Sequence, residues 1–174
     1  MKKLLAAFAV LTFAVVANAT DRTGAMGIGY QSSFAGNGQW SVKYGMSSNT
    51  TLQGVLGFGF AKGGSKVETA TFGARLLYDL VEAENSDFYT GLGIVYNYAG
   101  LGNGNFGPNG NDSLSFNIPL GFEFSLANAP AVAFSAEMGA TFNYATQGSP
   151  KQWNFGTNGG GAGAVFTAGA HYYF

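Results

Sequence analysis

Through eight segments of this chain, large apolar residues alternate strictly with small or polar ones, and that period of two leaves few folds open. Leu114, Phe116, Ile118, Leu120, Phe122, Phe124 and Leu126 stand on one face, against Ser115, Asn117, Pro119, Gly121, Glu123 and Ser125 on the other. Such alternation marks a β-strand with unlike surroundings on its two faces. The same register runs through Met26–Tyr30, Trp40–Met46, Leu52–Phe60, Ala70–Leu80, Phe88–Tyr98, Val132–Tyr144 and Ala162–Phe174. No charged residue falls on the apolar face of these segments, whereas Lys43, Arg75, Asp79, Glu123 and Glu137 all fall on the other. The pattern predicts an all-β protein built from eight antiparallel strands.

Volume decides which way the faces point. An eight-stranded barrel has an interior just wide enough for side chains to fill. The Phe, Tyr, Leu and Trp residues of the apolar register would overfill it, while the Gly, Ser, Thr and Asn of the other register fit. The apolar face therefore points outward, toward lipid. Hydrocarbon offers no hydrogen bonds to an open sheet edge, so the sheet must close on itself. The segments also have the length a tilted strand needs to cross a bilayer.

The start of the chain reads as a leader. Lys2 and Lys3 precede an apolar run from Leu4 to Val16, and Ala17-Asn18-Ala19 fits the small-x-small rule for signal-peptidase cleavage. Residues 1–19 are expected to be a signal peptide and residues 20–174 one barrel domain. Without Lys2 and Lys3 the formal charge falls from −1 to −3, which excludes a nucleic-acid partner. There is no cysteine, so no disulfide supports the exported chain. Charged residues make up only 10% of it, too few for an ordinary water-facing surface.

Connections alternate in length. Ser47 to Thr50, Glu82 to Asp87 and Ala127 to Pro130 are compact; Ser32 to Gln39, Lys62 to Val67, Gly100 to Ser113 and Thr146 to Gly161 are mostly longer. Short periplasmic turns and longer outer loops are the usual arrangement, which puts both termini in the periplasm. Aromatic residues gather toward the strand ends: Tyr30, Trp40, Phe60, Tyr98 and Tyr144 at one rim, Tyr78, Phe88 and Tyr172 at the other.

With its leader, its eight alternating strands and its final Phe174, the chain resembles the small eight-stranded outer-membrane β-barrels of the OmpA/OmpX type. That resemblance implies a monomer in the bacterial outer membrane, surrounded by lipid and lipopolysaccharide. It also implies that Phe166, Tyr172 and Phe174, with Ala168 and Ala170 between them, form the C-terminal signal read by the barrel-assembly machinery. The likeness covers the whole mature chain and is one of architecture.

Lys43, Arg75, Glu123 and Glu137 place two cations and two anions inside the barrel, where an isolated charge would be costly and pairing is expected. Two uses stay open: a static plug of ion pairs, or a gate whose partner exchange opens a narrow path, as the resemblance to OmpA implies. Catalysis is not expected. Lipid-modifying barrels need a histidine beside a serine or acid near the outer leaflet, and the one histidine, His171, falls near the periplasmic mouth, where a hydrogen-bonded structural role suits it better.

Gly102, Gly104 and Gly107 match GxGxxG by letter but lack a following helix. Asn109, Asn111 and Asp112 hold too few carboxylates for calcium. No cofactor and no metal is expected. In the two longest loops Phe106, Trp153 and Phe155 are candidates for contact with an extracellular ligand, or for tucking against the rim. Lys62, Lys66 and Lys151 fall on the expected outer side, where lipopolysaccharide phosphates lie. The expected function is a non-enzymatic envelope or surface-interaction scaffold; the alternative is a narrow passive channel for small solutes or ions.

Overall fold

Alternating side chains leave the backbone of each segment free to pair on both edges, and the sheet uses both. The computed structural model describes residues 21–33, 38–62, 66–101, 112–145, 153–157 and 167–174. The expected leader, Phe106, Lys151 and Phe166 lie outside these residues. The strands are β1 (Met26–Ser33), β2 (Gly38–Ser47), β3 (Thr50–Lys62), β4 (Lys66–Ala83), β5 (Ser86–Leu101), β6 (Ser113–Leu126), β7 (Ala129–Ala145), β8 (Trp153–Thr157) and β9 (Thr167–Tyr173). Neighbours from β1 to β7 pair antiparallel in chain order, and β9 closes the ring by pairing with both β7 and β1. The result is an all-β, closed, eight-position barrel, as the alternation predicts.

The eighth position differs from its expected form. A single strand from Ala162 to Phe174 is predicted, and residues 146 to 161 are predicted to be loop. Instead β8 pairs with the far half of β7, from Tyr144↔Trp153 to Ala140↔Thr157. β9 pairs with the near half, from Glu137↔Thr167 to Val132↔Tyr172. Two segments thus share one stave. The reason is the length of β7, whose far half would otherwise leave a row of unpaired amides and carbonyls. Trp153 and Phe155 therefore belong to a strand rather than to a loop. Phe155 faces outward, its ring 4.8 Å from that of Phe142.

One end of the barrel carries the three two-residue turns, Ser48-Asn49, Glu84-Asn85 and Ala127-Asn128. Each ends in asparagine, a residue that tolerates tight-turn backbone conformations. Two of these turns also tie down the neighbouring hairpin. The Asn49 carbonyl accepts from the Asp79 amide at 2.9 Å and the Asn85 carbonyl from the Ser125 amide at 2.7 Å. Those are the places where the β4–β5 and β6–β7 registers slip. The described segment ahead of β1 and Phe174 both lie at this turn end, where Phe174 and Met26 bond to each other through their backbones.

Alternation sorts the faces as volume demands. Leu92, Phe174 and Trp40, at 67%, 65% and 61% exposed, belong to an outward apolar belt, while Lys43, Gln53, Arg75, Glu123, Glu137 and His171 are buried in the lumen. An exposed apolar surface that encircles the molecule is far larger than water tolerates on a monomer.

Candidate functional site

The lumen holds the chemistry, and glycines make the room for it. Gly121 lies across from Tyr89 in the β5–β6 register, and a Cβ there would come within 2.3 Å of the Tyr89 ring. Gly93, across from both Arg75 and Asn117, would meet the Asn117 amide oxygen at 2.3 Å and the Arg75 stem at 2.6 Å. The inner register is thus rich in glycine because its few large side chains lie flat across their neighbours.

Two carboxylates organise the interior. Glu137 on β7 accepts from Arg75 Nη1 at 2.8 Å, from the Tyr89 hydroxyl at 2.7 Å and from Thr167 Oγ1 at 3.3 Å. Glu123 on β6 accepts from Lys43 Nζ, from Arg22 Nη1 and, at 2.8 Å, from the Tyr173 hydroxyl. The four charges singled out in the sequence therefore sort into Lys43–Glu123 and Arg75–Glu137. All four are buried to within a few per cent. Each carboxylate has several donors, which is what a buried charge requires if it is not to be destabilising. Tyr89 also lies under the Lys43 ammonium, 5.5 Å from ring centre to Nζ, and so joins the two clusters.

Between them lies a neutral network. Gln53 Nε2 donates to Ser41 Oγ at 2.8 Å and to Gln31 Oε1 at 2.9 Å, while His171 Nε2 shares a 2.9 Å hydrogen bond with the same Ser41 hydroxyl. With Glu123 Oε2 3.8 Å from His171 Nδ1, the order serine, histidine, acid is that of a hydrolase triad. Its placement is not. Ser41 and His171 are buried at 1% and 2%, and the Gln53 amide already occupies the hydroxyl, so no carbonyl can approach it. Toward the loop end the lumen continues as uncharged hydrogen bonds, Thr71 to Asn97, Asn97 to Ser115 and Ser115 to Asn143.

Arg22 escapes sequence reading, and Tyr89 and Tyr173, although they fall in the inner register, are not singled out by it. Arg22 precedes β1 and so lies outside the alternating pattern, yet its side chain turns back into the barrel mouth. There Nη2 donates to Ser125 Oγ at 2.8 Å, and the guanidinium lies 4.2 Å above the Tyr173 ring and 3.7 Å from Asp87. Burial disfavours its charge, but Glu123 and the other acids outweigh that and raise its pKa above the ordinary value. A signal for it does exist in the sequence. The strands carry Asp79, Asp87, Glu123 and Glu137 at inner positions against only Lys43 and Arg75, which leaves the mouth short of positive charge.

Among the remaining candidates, Tyr172 and Phe174 point outward at the turn end, 57% and 65% exposed. Lys62 and Lys66 pair across the β3–β4 hairpin at the loop end. Among the described residues no group of histidines, cysteines or acids is arranged to hold a metal ion.

No protein-family model matches the chain, and no curated protein sequence matches it. Solved structures do. The N-terminal β-barrel domain of Pseudomonas aeruginosa OprF matches with a TM-score of 0.56 at 13% identity, over 87% of this chain and 98% of that one. Neisserial surface protein A (NspA) matches with a TM-score of 0.51 at 17% identity, over 86% of this chain and 94% of that one. At such identities the likeness is one of fold: the chain has the architecture of the small outer-membrane β-barrels.

Proposed function

We propose that this chain is a non-enzymatic bacterial outer-membrane protein, a rigid monomeric scaffold that carries its longer connections on the cell surface and both termini in the periplasm. One observation carries the reading: a closed barrel whose outside is a continuous apolar belt and whose inside is a buried network of ion pairs and hydrogen bonds. Only a bilayer makes the first favourable, and only closure makes the second possible. In this setting Tyr172 and Phe174 are the exposed C-terminal residues through which the assembly machinery engages the chain. Lys62 and Lys66 stand at the level of lipopolysaccharide phosphates.

The polar lumen supports a second reading, a narrow passive channel, in which Lys43, Arg75, Glu123 and Glu137 would have to exchange partners. Tyr89, Thr167 and Tyr173 act against that by fixing the two carboxylates with neutral donors. Fractionation of expressing cells tests the main proposal. The protein is expected in the detergent-resistant outer-membrane fraction, and recovery as a soluble monomer without detergent would overturn it. Planar-bilayer recordings separate the two readings: silence from wild type and from Arg75→Ala supports the scaffold, while steps that change with the substitution support the channel.

A further inference from the structure

The segment ahead of β1 is held in place by more than one charge pair. Thr23 forms a parallel bridge to Gly45, and the Gly24 amide donates to the Gly45 carbonyl at 2.8 Å. Gly24 adopts φ +79°, a left-handed conformation that lets the chain reverse toward the lumen. A Cβ on Gly45 would lie 1.9 Å from the Arg22 carbonyl oxygen, so the absence of a side chain there is what lets the segment lie against β2. Asp21 accepts from both the amide and the hydroxyl of Thr23, at 2.9 and 2.6 Å, which stiffens the approach.

At the end of this tether the Arg22 guanidinium meets a matched receptor. Glu123 accepts from Nη1 and Ser125 from Nη2, the Tyr173 ring covers one face of the plane, and Asp87 supplies a second carboxylate at 3.7 Å. Paired acceptors along two guanidinium nitrogens together with an aromatic face suit arginine and not the point charge of lysine. Apart from Arg22, Glu123 has Lys43 and the Tyr173 hydroxyl as donors, so its charge does not depend on Arg22 alone for partners.

We propose that the turn-end mouth of the barrel is a guanidinium-binding site, that the chain closes it in cis with Arg22 as a tethered internal ligand, and that the vacated mouth accepts an arginine side chain presented by another molecule. The tether gives Arg22 an effective concentration of about millimolar or above, so a free ligand of ordinary affinity does not displace it. The site rests on side-chain geometry alone; only the compartment a partner would come from, the periplasm, depends on the membrane reading.

Titration of the detergent-folded protein with N-acetyl-arginine amide, followed by NMR shifts of the lumen residues, tests this. Wild type is expected to show no saturable binding. Arg22→Ala is expected to bind with a dissociation constant in the millimolar range. Gly45→Ala, which dislodges the segment while leaving every acceptor intact, is expected to bind as well. Adding Ser125→Ala and Asp87→Asn to Arg22→Ala should weaken binding roughly tenfold, and N-acetyl-lysine amide should bind less well than the arginine compound. Circular dichroism confirms that each variant is folded before titration. No binding to a folded Arg22→Ala barrel would overturn the site. Equal binding to wild type would overturn closure by Arg22, and equal binding of the lysine compound would overturn guanidinium recognition.

Discussion

Gly121 is small because Tyr89 is large. The ring of Tyr89 crosses the lumen to reach Glu137, and it does so over the one position of β6 where a Cβ would lie 2.3 Å away. Gly121→Ala is therefore expected to destabilise the barrel by about 1–3 kcal/mol through overpacking, read from the urea midpoint in detergent micelles. Tyr89→Phe keeps the ring and removes one donor from a buried carboxylate, an expected loss of about 1–3 kcal/mol. Most of the lumen residues are legible in the sequence. The period of two puts Lys43, Arg75, Glu123 and Glu137 inside without any knowledge of the fold. Arg22 is not, since a residue ahead of the first strand has no alternation to assign it a face.

At the scale of the strands, three compact turns and the antiparallel order from β1 to β7 follow from sequence, although the turns tighten to two residues, Glu84-Asn85 where Glu82 to Asp87 is expected. Each short connection leaves its flanking segments no choice but to pair with each other. The eighth stave does not follow. Residues 146 to 161 look like loop because glycine, asparagine and serine dominate them, and only the unpaired far half of β7 recruits Trp153–Thr157 as a strand. Replacing residues 153 to 157 with glycine and serine is expected to speed hydrogen exchange roughly tenfold at those amides of residues 140 to 144 that face β8. The amides of residues 132 to 137, paired with β9, should keep their protection. Equal loss along the whole of β7 would show the stave to be a single cooperative unit.

For the whole molecule the decisive contrast is between outside and inside. Leu92 is 67% exposed and lies mid-strand, opposite Leu76. In a bilayer, Leu92→Arg places a charge in hydrocarbon and should cost about 2–4 kcal/mol near the midplane. On a water-soluble barrel the same surface change would stay within about 0.5 kcal/mol. Reversible urea unfolding from lipid vesicles measures the difference, and it bears on the apolar belt as a whole.

The sequence alone determined which residues face out, which face in, and that the sheet must close, because side-chain direction along a strand is a local property with a period of two. Tertiary structure decided who meets whom. Lys43 and Glu123 are 80 positions apart, Arg75 and Glu137 are 62, and Arg22 and Glu123 are 101. Those meetings depend on how far each strand is staggered against the next around the closed ring, and stagger accumulates over the whole wall. No single segment contains it.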